Sequence, residues 1–132
     1  LGVAFLHKQE AFRALAAYQF IPESAKSPSL NGSVGVQGIG TGNPGYSLTT
    51  EKNWKDQNGS LNLFTGVGFR SNETHLHAIG GVKYQFNFGT VIGVQLDGHG
   101  SHPFIIQNYK NVLGGVYLID GRKAAFLIGA RF

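Results

Sequence analysis

Leu76-His77-Ala78-Ile79-Gly80-Gly81-Val82-Lys83-Tyr84-Gln85-Phe86, Asn87-Phe88-Gly89 and Thr90-Val91-Ile92-Gly93-Val94-Gln95-Leu96 form the stretch on which the fold turns. Every second residue reads Leu76, Ala78, Gly80, Val82, Tyr84 and Phe86, then Thr90, Ile92, Val94 and Leu96. Between them stand His77, Lys83, Gln85 and Gln95. Alternation with period two is the mark of a strand, whose successive side chains point to opposite faces. Asn87-Phe88-Gly89 supplies turn formers, so the two arms make an antiparallel hairpin. With the turn centred on Phe88, Phe86 faces Thr90, His77 faces His99 and His75 faces Ser101.

The same pattern runs outward along the chain. Phe12, Ala14, Ala16, Tyr18 and Phe20 alternate; so do Leu61, Leu63, Thr65, Val67 and Phe69, and later Ala124, Phe126, Ile128, Ala130 and Phe132. The opposite positions hold Arg13, Arg70, Lys83, Asp97, His99, Lys123 and Arg131. Strands are expected at about 11–21, 32–41, 45–55, 60–70, 75–87, 89–98, 111–119 and 122–132, with 22–31 and 99–110 as connections. The alanine-rich run at 8–20 also suits a helix. Aromatic residues at both ends of one alternating face favour a strand. The expected fold is all-β: one domain, 1–132, an antiparallel up-and-down β-barrel of about eight strands. Residues 1–10 are an N-terminal arm or an extra strand.

The chain has 132 residues, 20 of them glycine, and no cysteine. Disulfide frameworks, thiolate metal sites and cysteine nucleophiles are therefore excluded. Eleven basic residues against seven acidic give +4. The basic residues are dispersed rather than clustered, which argues against a nucleic-acid binder. No apolar run approaches the roughly 18 residues of a membrane helix.

Alternation alone leaves open which face is inside. A soluble barrel turns its apolar face inward; a membrane barrel turns it to lipid. The polar face is rich in small residues (Gly66, Gly68, Gly81, Gly93, Gly129), as the narrow interior of a small barrel requires. Aromatic residues lie towards the ends of the apolar stripes, as at the two interfaces of a membrane barrel. The expected strands are long enough to cross, at about 9–11 residues.

Ala124-Ala125-Phe126-Leu127-Ile128-Gly129-Ala130-Arg131-Phe132 resembles the final strand of a small bacterial outer-membrane β-barrel. Such strands alternate apolar residues and end on phenylalanine, which that family's assembly machinery reads. The resemblance is specific at this end and diffuse over residues 11–123. It implies an outer-membrane location in a Gram-negative bacterium. The implied partners are membrane lipid or lipopolysaccharide and the barrel assembly machinery. The implied role is structural, surface-interacting or that of a narrow polar channel, without a cofactor. Two features depart from that family: the 99–110 connection falls on the side where short turns belong, and adjacent Glu51 and Lys52 point to opposite faces. The alternative is a soluble, secreted or periplasmic lipocalin-like barrel holding an apolar ligand.

Strand geometry gathers His75, His77, His99, Asp97 and Ser101 at one end of the polar face, with His102 nearby. Imidazoles with a carboxylate suit zinc, copper or nickel, so His75, His77, His99 and Asp97 are candidate ligands. His99, Ser101 and His75 are candidate catalytic residues, since a serine with a histidine and an acid is a hydrolase pattern. His99-Gly100-Ser101 resembles the His-x-Ser pair of the outer-membrane lipid A deacylases. That family's following Asn is His102 here, and no Glu follows Glu73. Arg13, Arg70, Lys83 and Arg131 share the polar face and are candidate anion-binding residues. The competing reading is a hydrated polar rim and network. Gly40, Gly42 and Gly45 match a phosphate-loop spacing, but Pro44 and the following alternation leave no helix to receive a phosphate.

Overall fold

The structure is a computed structural model that describes residues 2–6, 11–36 and 43–130. Strands β1 (Gly2–Leu6) and β2 (Ala11–Ile21) come first, followed by β3 (Ser29–Val36), β4 (Pro44–Lys55) and β5 (Gly59–Arg70). The second half holds β6 (His77–Phe86), β7 (Thr90–Leu96), β8 (Ser101–Tyr109), β9 (Val112–Ile119) and β10 (Lys123–Ala130). Each strand pairs antiparallel with its neighbours in sequence, in the order β1 to β10. β2 to β10 form one continuous ladder, and β1 adds along the first half of β2.

The fold is therefore all-β, antiparallel and up-and-down. Among the described residues it has ten strands rather than eight. β1 supplies the extra N-terminal strand. The other addition is β8, which lies in the expected 99–110 connection. The expected strand at 32–41 begins earlier, at Ser29; its residues 37–41 lie outside the described residues. Closure into a barrel is absent among the described residues, where β1 and β10 each have one partner.

β8 escaped the period because both of its faces are apolar. Ile105 points outward, while Phe104 and Ile106 point inward, where Phe104 stacks on Tyr117 of β9 with centroids 4.8 Å apart. A strand with apolar side chains on both of its faces has no alternation to read. Adding it reverses the direction of everything upstream. The tight turns at 56–58, 87–89 and 110–111 then share one end of the sheet. The connections 71–76, 97–100 and 120–122 share the other. The misplaced long connection thus disappears.

The β6–β7 register follows the hairpin reading: Gly80 pairs with Leu96 and Gln85 with Val91. Exposure along the strands separates the faces clearly. In β5, Leu61, Leu63, Thr65 and Val67 are exposed, whereas Asn62, Gly68 and Arg70 are buried. Among the described residues, Ser29, Asn62, Arg70, Asp97 and His102 are buried, and Val91 is the sole buried apolar side chain. The inner face is the polar one.

Hydrogen bonds tie that inner face together. Ser33 and Ser47 share one at 2.7 Å across β3 and β4. Asn62 donates to Glu51 and, at 2.8 Å, to Asn53. Lys83 lies 3.9 Å from Glu51, so this acid serves the interior. Lys52 sits on the opposite face at the end of β4. There its ammonium donates to the carbonyls of Ser24 (2.5 Å) and Ala25 (3.2 Å) in the 22–28 loop. A long aliphatic stem with its charge held at the end of the sheet resolves the adjacent Glu51–Lys52 pair.

Candidate functional site

The connections 71–76, 97–100 and 120–122 converge at one end of the inner face. Arg70, the last residue of β5, organises this end. Its Nη2 donates to the Asp97 carboxylate at 2.6 Å and to the Asp97 carbonyl at 2.9 Å. Its Nη1 reaches Glu73 Oε1 at 3.4 Å. Arg70 and Asp97 are 6% and 5% exposed, so this is a buried charge pair with its further hydrogen bonds in place.

Asp97 caps its own turn. Its Oδ1 accepts the N–H groups of His99 (3.1 Å) and Gly100 (3.0 Å). Burial pushes the Asp97 carboxyl up. Those two N–H groups, His102 and the Arg70 charge outweigh it and hold the carboxyl at about 2. His102, 2% exposed, places Nε2 3.2 Å from Asp97 Oδ1, and its Nδ1 accepts the Asp120 N–H at 3.3 Å. Gly98 lets the turn close on β6. It has φ +89°, and a Cβ there would sit 2.4 Å from His77 Cβ.

A second group lies beside the first. Glu73 Oε1 is hydrogen-bonded to His99 Nε2 at 2.8 Å. Glu73 Oε2 lies 2.8 Å from His77 Nε2, but the two are not aligned as a hydrogen bond. Both atoms are buried and lack a hydrogen-bond partner. Candidate ligand atoms of Glu73, His77 and His99 all lie within 4.8 Å of one another. The His77 ring is 4.2 Å from that of His99 and 4.4 Å from that of His75, centroid to centroid.

The expected gathering is thus divided. His75, His77 and His99 come together, through ring contacts between the 71–76 and 97–100 connections and the start of β6. Asp97 does not join them: it turns to Arg70 and His102, and Glu73 takes its place beside the imidazoles. Ser101 leaves the group. It begins β8 opposite Leu96, is exposed, and lies on the face away from buried His102. No hydrogen bond joins Ser101 to a histidine among the described residues, so no hydrolase triad is assembled. Lys83 lies far down β6, near Glu51. Arg13 stands opposite Ala4 in the β1–β2 ladder, and Arg131 lies outside the described residues.

The sequence places His102 near this group but not in it, and it hides Glu73 and Asp120. Glu73 sits in a Ser71-Asn72-Glu73-Thr74 turn, which strand alternation does not place on a face. Its only signal is the four-residue spacing to His77. His102 changes face because β8 begins at Ser101.

Comparisons with protein-family models, curated proteins and solved structures find no match to this chain.

Proposed function

We propose that this chain is a small outer-membrane protein of the β-barrel type, with its exposed apolar face against lipid and its polar face enclosed. The observation that carries this reading is the inverted distribution of burial. Among the described residues five polar or charged side chains are buried, whereas Leu63, Val67, Ile92, Ile105 and Ile128 are exposed on the other face. Water makes such a face costly, at about 25 cal/mol per Å² of apolar surface, and lipid removes the cost.

Two further features support it. Tyr18, Phe20, Trp54, Phe88 and Tyr109 are exposed towards the end with the tight turns, and Tyr46, stacked on Phe69, towards the other. Two aromatic bands flanking an aliphatic one match the two membrane interfaces. Strands of 12, 10 and 9 residues (β5, β6 and β8) suffice for the crossing. Closure of the sheet into a barrel belongs to this proposal, since lipid tolerates no open sheet edge.

The inner face favours a structural or surface-interaction role over a channel. Phe64, Arg70, Ile79 and Asp97 leave a cavity of only about 40 Å³ between them. Such a volume, at the connection end of the inner face, holds a water molecule or two.

The test is refolding of the purified chain with and without detergent micelles, read by circular dichroism and by gel mobility of unheated samples. A β spectrum and a shifted unheated band in detergent alone are expected. A monodisperse β protein in plain buffer overturns the reading and turns the search to a soluble ligand-binding role.

A further inference from the structure

We infer that Glu73, His77 and His99 form a binding site for a divalent first-row transition cation, zinc in the first instance, at the connection end of the inner face. The inference stands apart from the membrane reading, because it rests on the side chains of two connections and the start of β6.

The donor set is two imidazoles and one carboxylate, a combination that suits zinc with a fourth position left to water. Their ligand atoms already lie within 4.8 Å of one another, the span of a single coordination sphere. More telling is what Glu73 Oε2 and His77 Nε2 lack. Both are buried, 2.8 Å apart, and neither has a hydrogen-bond partner. A buried donor or acceptor without a partner is destabilising. A cation between them and His99 satisfies both at once.

The surroundings fit a cation. Arg70 lies 3.4 Å from Glu73, yet its charge is taken up by Asp97 at 2.6 Å. With neutral imidazoles, Arg70, Asp97 and Glu73 together carry one net negative charge. The Arg70 contact to Oε1 helps to orient the Glu73 carboxylate, as outer partners of metal ligands do. Gly98 brings the 97–100 turn against His77, which sets His99 beside it. The His99 side chain is half-exposed, so the site opens to solvent and an ion can enter.

The test is zinc titration of the untagged full chain, in whichever medium gives its β spectrum, by calorimetry and with cobalt(II) as a spectroscopic probe. One zinc per chain and a tetrahedral cobalt absorption band are expected. Losing even an outer partner of a metal ligand weakens binding about 10–100-fold. Glu73→Gln, His77→Gln and His99→Gln are therefore each expected to weaken it by more than about 100-fold. Ser101→Ala, on the opposite face, is expected to leave it unchanged. His99→Gln is the decisive variant, since its exposed ring puts the fold at least risk, and the circular dichroism spectrum checks the fold. Zinc binding of equal strength in folded His99→Gln overturns the assignment. So does a folded wild-type chain that binds no zinc.

Discussion

Arg70 at the end of β5 donates to Asp97, the residue just past the end of β7, across a gap of 2.6 Å, and both side chains are nine-tenths buried. The two strands are not adjacent: β6 lies between them. The pair therefore spans the inner face and fixes the 97–100 turn over the ends of three strands. Removing one partner leaves the other charge buried, which costs about 3–5 kcal/mol. Arg70→Ala is expected to destabilise the fold by about 3 kcal/mol or more in denaturant titration. An Arg70→Met, Asp97→Leu double variant is expected to recover most of that loss. Equal destabilisation by the single and double variants would show that the pair's polar atoms, rather than its uncompensated charge, hold this end.

Two glycines should behave oppositely when given a methyl group. A Cβ on Gly66, in the middle of β5, would lie 2.0 Å from the Leu48 carbonyl oxygen, a backbone atom that cannot rotate away. Gly114 in β9 has nothing nearer than the Leu127 carbonyl oxygen, at 4.0 Å. Gly66→Ala is expected to cost about 1–3 kcal/mol through overpacking. Gly114→Ala is expected to stay within about 0.5 kcal/mol. Equal unfolding midpoints for the two variants would contradict the close approach of β4 and β5.

The 22–28 loop is clasped to β4 by a carboxylate, which makes its order pH-dependent. Glu23 accepts the Asn53 side-chain amide at 2.6 Å and the Asn53 backbone N–H at 2.9 Å. These two donors, the side-chain amide first, hold the Glu23 carboxyl below its ordinary 4.5 against a small opposing effect of desolvation, with help from Lys52. A depressed carboxyl stabilises the fold above its unfolded value and loses that contribution as pH falls through the folded value. The Asn53 amide resonance is expected to titrate with a midpoint below 4.5. In Glu23→Gln that titration is expected to vanish. A midpoint at or above 4.5 in the wild-type chain would mean that the clasp does not form in solution.

Legibility of the fold in the sequence followed the contrast between the two faces. β5, β6 and β7 each set polar or small residues against apolar ones, so their period could be read directly, and with it the β6–β7 register. β8 sets Phe104 and Ile106 against Ile105, and the contrast vanishes. That one omission misdirected every upstream strand. The site was half legible for a related reason. His77 and His99 were expected to face each other, and the 97–100 turn, closed on His77 at Gly98, brings their rings together. Glu73 meets them through a turn, whose path depends on the Gly98 backbone and the Arg70 contact rather than on any period. Ser101 was misplaced because the outward alternation restarts with β8.

Arginine substitutions on the exposed apolar face discriminate between lipid and water as its surroundings. Ile105 lies in the middle of β8 and Ile128 in the second half of β10; they are 51% and 85% exposed. Neither is a core residue, so a long charged side chain at either position meets no packing. Facing water, Ile105→Arg is expected to change stability by no more than about 0.5 kcal/mol. Facing lipid at the midplane, it is expected to cost about 2–4 kcal/mol, and arginine at Ser101, near the strand end, about 0–1 kcal/mol. The expected result is a depth-dependent penalty, largest at Ile105 and small at Ser101, measured by reversible unfolding from lipid vesicles. A flat profile across the three positions would place this face in water.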